Sequence, residues 1–154
     1  MYNEIETWSK LTHKNIIRLY EIIDDPNHDY LYLVMDLADL GQIADWQREE
    51  EKYKRNSAIF DWILTNKLSA LKFTTEQEKV EEVSKLIFRD IVEALVYLHE
   101  VKNVVHRDIK PDNILFSTCD GNVKITDFTV AKQLIPGQEV CYDTEGTAAF
   151  TGMR

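Results

Sequence analysis

The sequence predicts an α+β domain, and three observations carry that reading. β-Branched and aromatic residues cluster at 15–23 and 30–37, on either side of a turn-rich stretch, as in a strand hairpin. One apolar stripe at helical spacing runs from Val80 to Leu98. Short apolar runs then follow at 103–105, 113–116 and 123–126, with turn residues between them.

The 154 residues suit one ordinary domain. Apolar residues make up 44% and charged ones 29%, which separates the chain from disordered sequences. The net charge of −9 argues against nonspecific nucleic-acid binding but not against a nucleotide, whose phosphates need only a local cation. Cys119 and Cys141 make no disulfide framework, so a reducing compartment, the cytoplasm, is expected. No apolar run approaches a membrane span and the first residues carry no signal-like stretch, so no membrane partner is expected.

Along the chain, Ile5, Trp8 and Leu11 are spaced as on a helix over 2–11. Strands are predicted at 15–23 and 30–37, with Pro26 and Asn27 in the turn. The continuous apolar run "YLYLVMDL" predicts a strand covered on both faces. The charge run at 47–57 reads as a solvated helix face or a surface insertion, and 60–73 is apolar enough to pack without showing where. Thr75 opens a helix, with Glu78 placed to complete a capping box. Its stripe is Val80, Val83, Leu86, Ile87, Ile91, Leu95 and Leu98, and the helix should end near 99–102. Asp120-Gly121 marks a hairpin turn at 117–122 between the strands at 113–116 and 123–126. From Ile135 onward a long loop is expected.

The segment "VVHRDIKPDNILF" (104–116) sets charge between two runs that want burial. Hairpin pairing would return Asp127 beside Asn113. A carboxylate and a carboxamide oxygen are hard donors that suit Mg²⁺, whose other ligands are water and phosphate. Lys110 supplies a point charge for a phosphate, and Asp108 can accept a proton from a hydroxyl. Such a cluster can position and neutralise a transferring phosphoryl group. Each residue alone reads as part of an ordinary surface salt bridge. His106, Arg107, Asp108, Lys110, Asn113 and Asp127 in this order and spacing do not.

The string resembles the eukaryotic protein kinases, with "HRDIKPDN" similar to their catalytic loop and "DF" at 127–128 to their metal-binding motif. The resemblance implies a kinase-like α+β fold. Residues 1–39 would be a small-lobe remnant with the end of the C-helix, two strands and the hinge, and 40–154 the start of the large lobe, with an insertion at about 47–73. It implies ATP and Mg²⁺, with a protein substrate. Asp108 would orient and deprotonate the acceptor hydroxyl, Lys110 would stabilise the moving phosphate, and Asn113 and Asp127 would hold Mg²⁺. Lys110 also suggests Ser/Thr specificity. His106 would be a buried scaffold residue, and Arg107 would clamp a phosphorylated activation loop. Backbone groups of the hinge at Asp36, Leu37 and Asp39 would meet adenine, and Glu4 would be the C-helix glutamate. "EIIDDPNHDYLYLV" and "TEGTAAF" are similar to the calcium/calmodulin-dependent kinase kinases, which makes Thr144 the activating phosphosite and Thr147 the threonine facing the substrate. Any calmodulin-linked regulation would lie outside these residues.

The sequence also departs from the pattern. It contains no Gly-rich loop and no strand lysine to partner Glu4, and Gly152-Met153-Arg154 stands where the family has Ala-Pro-Glu. Thr129 replaces the glycine of Asp-Phe-Gly, where a β-branched residue would be strained if the backbone kept glycine-like angles. The expectation is a kinase fragment with little activity of its own and marginal stability. The alternative is a non-catalytic, kinase-like binding module.

Overall fold

The computed structural model describes residues 2–28, 30–135 and 146–150. Helix α1 (Tyr2–Ser9) turns Ile5 and Trp8 inward, as their spacing predicts. The Trp8 Nε1–H donates to the Ile17 carbonyl at 2.7 Å, which ties α1 to the chain that follows it.

Strands β1 (Leu19–Asp24) and β2 (Leu31–Met35) form the antiparallel hairpin, with Ile22 opposite Leu33. The Asp25 carboxylate closes the turn by accepting the Asn27 N–H at 2.9 Å. Two expectations are corrected here. Residues 15–17 are not strand: Ile16 bridges to Ile125 in parallel, and the Ile17 N–H donates to the Ile125 carbonyl at 2.9 Å. The hairpin is also covered on one face only. Ile23, Tyr32 and Val34, which the register puts on one face, are exposed because no element among the described residues packs over them.

The charged insertion is a second hairpin, β4 (Ala44–Gln47) against β5 (Lys52–Arg55), and not a helix. Asn56 fixes its base. Its Nδ2 donates to the Leu40 and Gln42 carbonyls, while its Oδ1 accepts the N–H groups of Ala58 and Ile59 and so caps α2 (Ser57–Asn66). That helix buries Ile59, Phe60 and Ile63 and so packs the first part of 60–73.

Helix α3 (Glu76–Val96) starts where Thr75 predicts, its hydroxyl accepting the Glu78 N–H at 3.2 Å. The Glu78 carboxylate closes on Thr74 instead, on its N–H at 2.7 Å and its hydroxyl at 2.8 Å. The helix ends in a π-helical turn, Tyr97–Val101, within the expected region. Of the stripe, Val83, Ile91 and Leu98 are buried and the other four are half-buried. Asp90, 2% exposed, accepts the Val123 N–H at 3.1 Å and joins α3 to the sheet.

That sheet has three strands in the order β3 (Gly41–Gln42), β7 (Ile114–Ser117), β8 (Asn122–Ile125). Ile114 lies opposite Ile125, and Gly121 (φ +66°) makes the tight turn that Asp120-Gly121 predicts. The pair β6 (Val104–Val105) and β9 (Lys132–Gln133) closes the loop between them. None of the helices among the described residues is long and apolar enough to cross a membrane.

Candidate functional site

The polar segment 106–113 is held at both ends by buried neighbours, Val104 before it and Ile114 and Phe116 after it. Its own polar groups are then satisfied one by one. His106 is 1% exposed. Its Nε2 bonds the Thr126 carbonyl at 2.9 Å, and its Nδ1 receives the Asp108 N–H at 3.3 Å. The second bond needs an unprotonated Nδ1, so the ring is the neutral Nε2–H tautomer. Burial pushes its pKa down, in keeping with that form. The ring also meets Phe128 edge-on at 4.8 Å, and Phe128 in turn stacks on Trp8 at 5.9 Å. The loop is thus packed back onto α1.

Asp108 is the centre of the site. Its Oδ2 lies 2.8 Å from the Lys110 Nζ and accepts the Asn113 Nδ2–H at 2.9 Å. Its Oδ1 accepts the Thr147 N–H at 2.8 Å. The Lys110 ammonium also donates to the Thr147 hydroxyl at 2.9 Å. Burial alone would push the Asp108 carboxyl up, but the Lys110 ammonium and the Thr147 groups outweigh it and hold the pKa down at about 2. The same contact pushes Lys110 up. The pair is therefore a fixed anion beside a fixed cation at neutral pH.

Gly146 makes the contact with Thr147 sterically feasible. Its φ is +112°, and a Cβ there would fall 2.1 Å from the Arg107 carbonyl oxygen. Only glycine lets the 146–150 segment lie against the loop.

Asn113 commits both amide hydrogens to Asp108, to its carbonyl and its carboxylate at 2.9 Å each. The carboxamide oxygen consequently faces the other way. The Asn113 carbonyl accepts the Thr126 N–H at 3.0 Å, so the hairpin brings Asp127 to the same end of the sheet. Asp127 adopts φ +62°, and its charge is felt at both Lys110 and His106. Its Oδ1 accepts the Thr129 hydroxyl at 2.6 Å. Thr129 itself is not among the residues with positive φ, so the strain expected at that substitution is absent. One carboxylate and one carboxamide oxygen at a common end suit a hard divalent cation that keeps water and phosphate oxygens as further ligands. Among the described residues, no three acidic, histidine or cysteine side chains gather as a metal site.

Asp108, Lys110, Asn113 and Thr147 are thus in direct contact. Arg107 (φ +69°) turns its Nε–H to the Val130 carbonyl. Asp36, Leu37 and Asp39, expected at the hinge, are not part of this cluster. The Asp36 carboxylate accepts the Arg18 N–H at 3.0 Å and the Tyr20 hydroxyl, and its N–H donates to the Arg18 carbonyl. Asp39 accepts the N–H and hydroxyl of Thr118. Leu37 is exposed. Glu4 sits on α1, but its side chain lies outside the described residues, as does Thr144.

Sequence reasoning missed the insertion hairpin's part in the site. The Tyr53 hydroxyl donates to the Asp112 carboxylate, between Lys110 and Asn113, and that bond pushes the phenol up to about 12. Trp46 lies directly opposite Tyr53 across the hairpin. Two aromatics facing each other in register were the available signal, but it shows only once the pairing is known.

Comparison with known proteins gives the family. The family model for the protein kinase domain matches residues 1–152. A probable serine/threonine-protein kinase of Dictyostelium discoideum is 35% identical over 147 residues, covering 96% of this chain and 16% of that protein. A calcium/calmodulin-dependent protein kinase kinase of Caenorhabditis elegans is 35% identical over the same length, covering 96% of this chain and 22% of that protein. A SNF-related serine/threonine-protein kinase of Rattus norvegicus is 32% identical over 140 residues, covering 91% of this chain and 15% of that protein. The chain therefore spans less than a quarter of the length of these relatives. With a family match over nearly its whole length, the chain belongs to the protein kinase domain family, among relatives named as serine/threonine kinases.

Proposed function

We propose that these residues carry the catalytic loop of an ATP-dependent protein serine/threonine kinase, acting on a protein hydroxyl in the cytoplasm. The observation that carries the reading is the Asp108 carboxylate, ionised and held by Lys110, Asn113 and the Thr147 N–H. A substrate hydroxyl at Asp108 would be oriented by that carboxylate and would pass its proton to it. Lys110 would neutralise charge on the moving phosphoryl group. Asn113 and Asp127 would hold Mg²⁺, which supplies charge neutralisation for the ATP phosphates when bound. The hinge backbone around Asp36, Leu37 and Asp39 would receive adenine. Glu4, Arg107, Thr144 and Thr147 would serve regulation and substrate facing as the resemblance implies. A calmodulin-linked control, suggested by the kinase-kinase relative, would act through residues outside this chain.

A non-catalytic binding module is the second reading, and the exposed apolar face of α3 at Phe88, Val92 and Val96 favours it. Titration calorimetry with ATP and Mg²⁺ separates the two. Metal-dependent ATP binding that Asp127→Asn weakens at least ten-fold supports the kinase. Equal, measurable affinity in both proteins defeats the metal assignment.

A further inference from the structure

A cavity of about 480 Å³ opens beside the Asp108 cluster, lined by Trp46, Tyr53 and Phe150 together with Lys110, Asn113 and Thr147. Three aromatic rings form one wall. Trp46 meets Tyr53 edge-on at 5.0 Å, and Tyr53 meets Phe150 edge-on at 6.0 Å. Trp46 and Phe150 are 46% and 42% exposed, so their free ring surface faces an open space and not a core. The acidic group at this wall, Asp112, is already engaged by the Tyr53 hydroxyl. Its charge also acts on the Lys110 ammonium beside it, so it is already offset within the protein, whereas the rings leave stacking surface for an apolar group.

Resting on the kinase reading, we propose that the β4–β5 hairpin forms a specificity subsite that takes a bulky apolar or aromatic side chain of the substrate, next to the phosphoacceptor. Lys110, Asn113 and Thr147 border both the cavity and Asp108. A polypeptide that places its hydroxyl at Asp108 must therefore carry a neighbouring residue across the aromatic wall. An extended chain advances about 3.3–3.6 Å per residue, so a residue up to three positions from the acceptor reaches about 10 Å along the wall. The cavity volume lies in the range that holds such a group. Trp46 and Tyr53 select the substrate and are not catalytic residues, since neither meets the Asp108 cluster directly.

The test uses the full chain and fluorescent peptides with one Ser, in which a single Phe or a single Lys is moved through three positions on each side. Anisotropy should show the best Phe peptide binding at least ten-fold tighter than its Lys counterpart. Trp46→Ala should erase that ratio, Trp46→Phe should keep most of it, and Tyr53→Phe should improve the Lys peptide several-fold by releasing Asp112. Thermal melts on each variant confirm the fold, which an exposed Trp46 does not carry. No Phe preference in the unaltered chain overturns the subsite, as does a preference that survives Trp46→Ala in a folded protein. Mg²⁺-dependent ATP binding is measured on the same samples. If ATP binds and the peptides are not discriminated, only the subsite fails. If ATP does not bind, the kinase reading itself fails.

Discussion

Asp108 carries its charge in a partly dry setting, and this has a measurable consequence. Its carboxyl is held at about 2, below the usual 3.8, chiefly against burial by the Lys110 ammonium and by Thr147. A depressed carboxyl stabilises the fold fully above about pH 4, where the unfolded group is also ionised, and that contribution is lost as pH falls towards 2. It amounts to about 2 kcal/mol for a shift of this size. Denaturant titrations at pH 5 and pH 2.5 should therefore show a smaller loss in Asp108→Asn than in the unaltered chain; equal losses would mean that the carboxylate is not paired in solution. Thr129 is the other residue with an individual role. The resemblance alone predicts strain there, but the positive φ sits at Asp127 and the threonine hydroxyl instead steadies the Asp127 carboxylate. Thr129→Val should weaken Mg²⁺-dependent ATP binding several-fold by calorimetry, and Thr129→Ser should retain it. If Thr129→Val binds as well as the parent, the hydroxyl positions nothing.

At the scale of elements, what was legible depended on whether the signal was local. Helix α3 could be read from Thr75 and the apolar spacing, because capping and amphipathicity are properties of one segment. The polar string of the candidate site was legible for the same reason: five of its residues lie within 106–113, and the Asp-Gly turn fixes the return of Asp127. The β4–β5 hairpin was not, since Lys52-Tyr53-Lys54-Arg55 carries no apolar alternation and gains its strand form from pairing and from Tyr53 on Asp112. The contact of Thr147 with the loop was also hidden, as Thr147 lies 37 positions from Lys110 and 39 from Asp108. Asp90 looked like one more polar helix residue, yet it is buried on the sheet and receives the Val123 N–H. Asp90→Ala leaves that buried N–H without an acceptor, which costs about 1–3 kcal/mol. Asp90→Asn keeps an acceptor and should cost less. Denaturant midpoints for both variants check the order, and equal destabilisation would show that the bond is not what joins α3 to β8.

For the molecule as a whole, surface area decides the outcome. A folded monomer of 18.0 kDa is expected to expose about 8,000 Å². This chain exposes 10288 Å². Part of the exposed surface is apolar. Phe88, Val92 and Val96 recur every four residues along α3, with Phe88 67% exposed, and one face of the β1–β2 hairpin adds Ile23, Tyr32 and Val34. The buried part is still a real core, with Leu98, Ile125 and Phe128 at or below 1% exposure. A core that buries less than its size allows gains less from water exclusion, while the entropy cost of ordering each residue is unchanged. The chain alone should therefore sit at the low end of the 5–15 kcal/mol typical of domains, or below it. Its melt should be broad, and it should bind an apolar dye while folded. Replacing Phe88 and Val92 by lysine should lower dye binding without lowering the melting temperature, because these side chains contribute little to the fold where they stand. A sharp cooperative melt, with native near-UV signals and no dye binding, would show that the exposed faces close on each other in solution and would overturn this view of the chain.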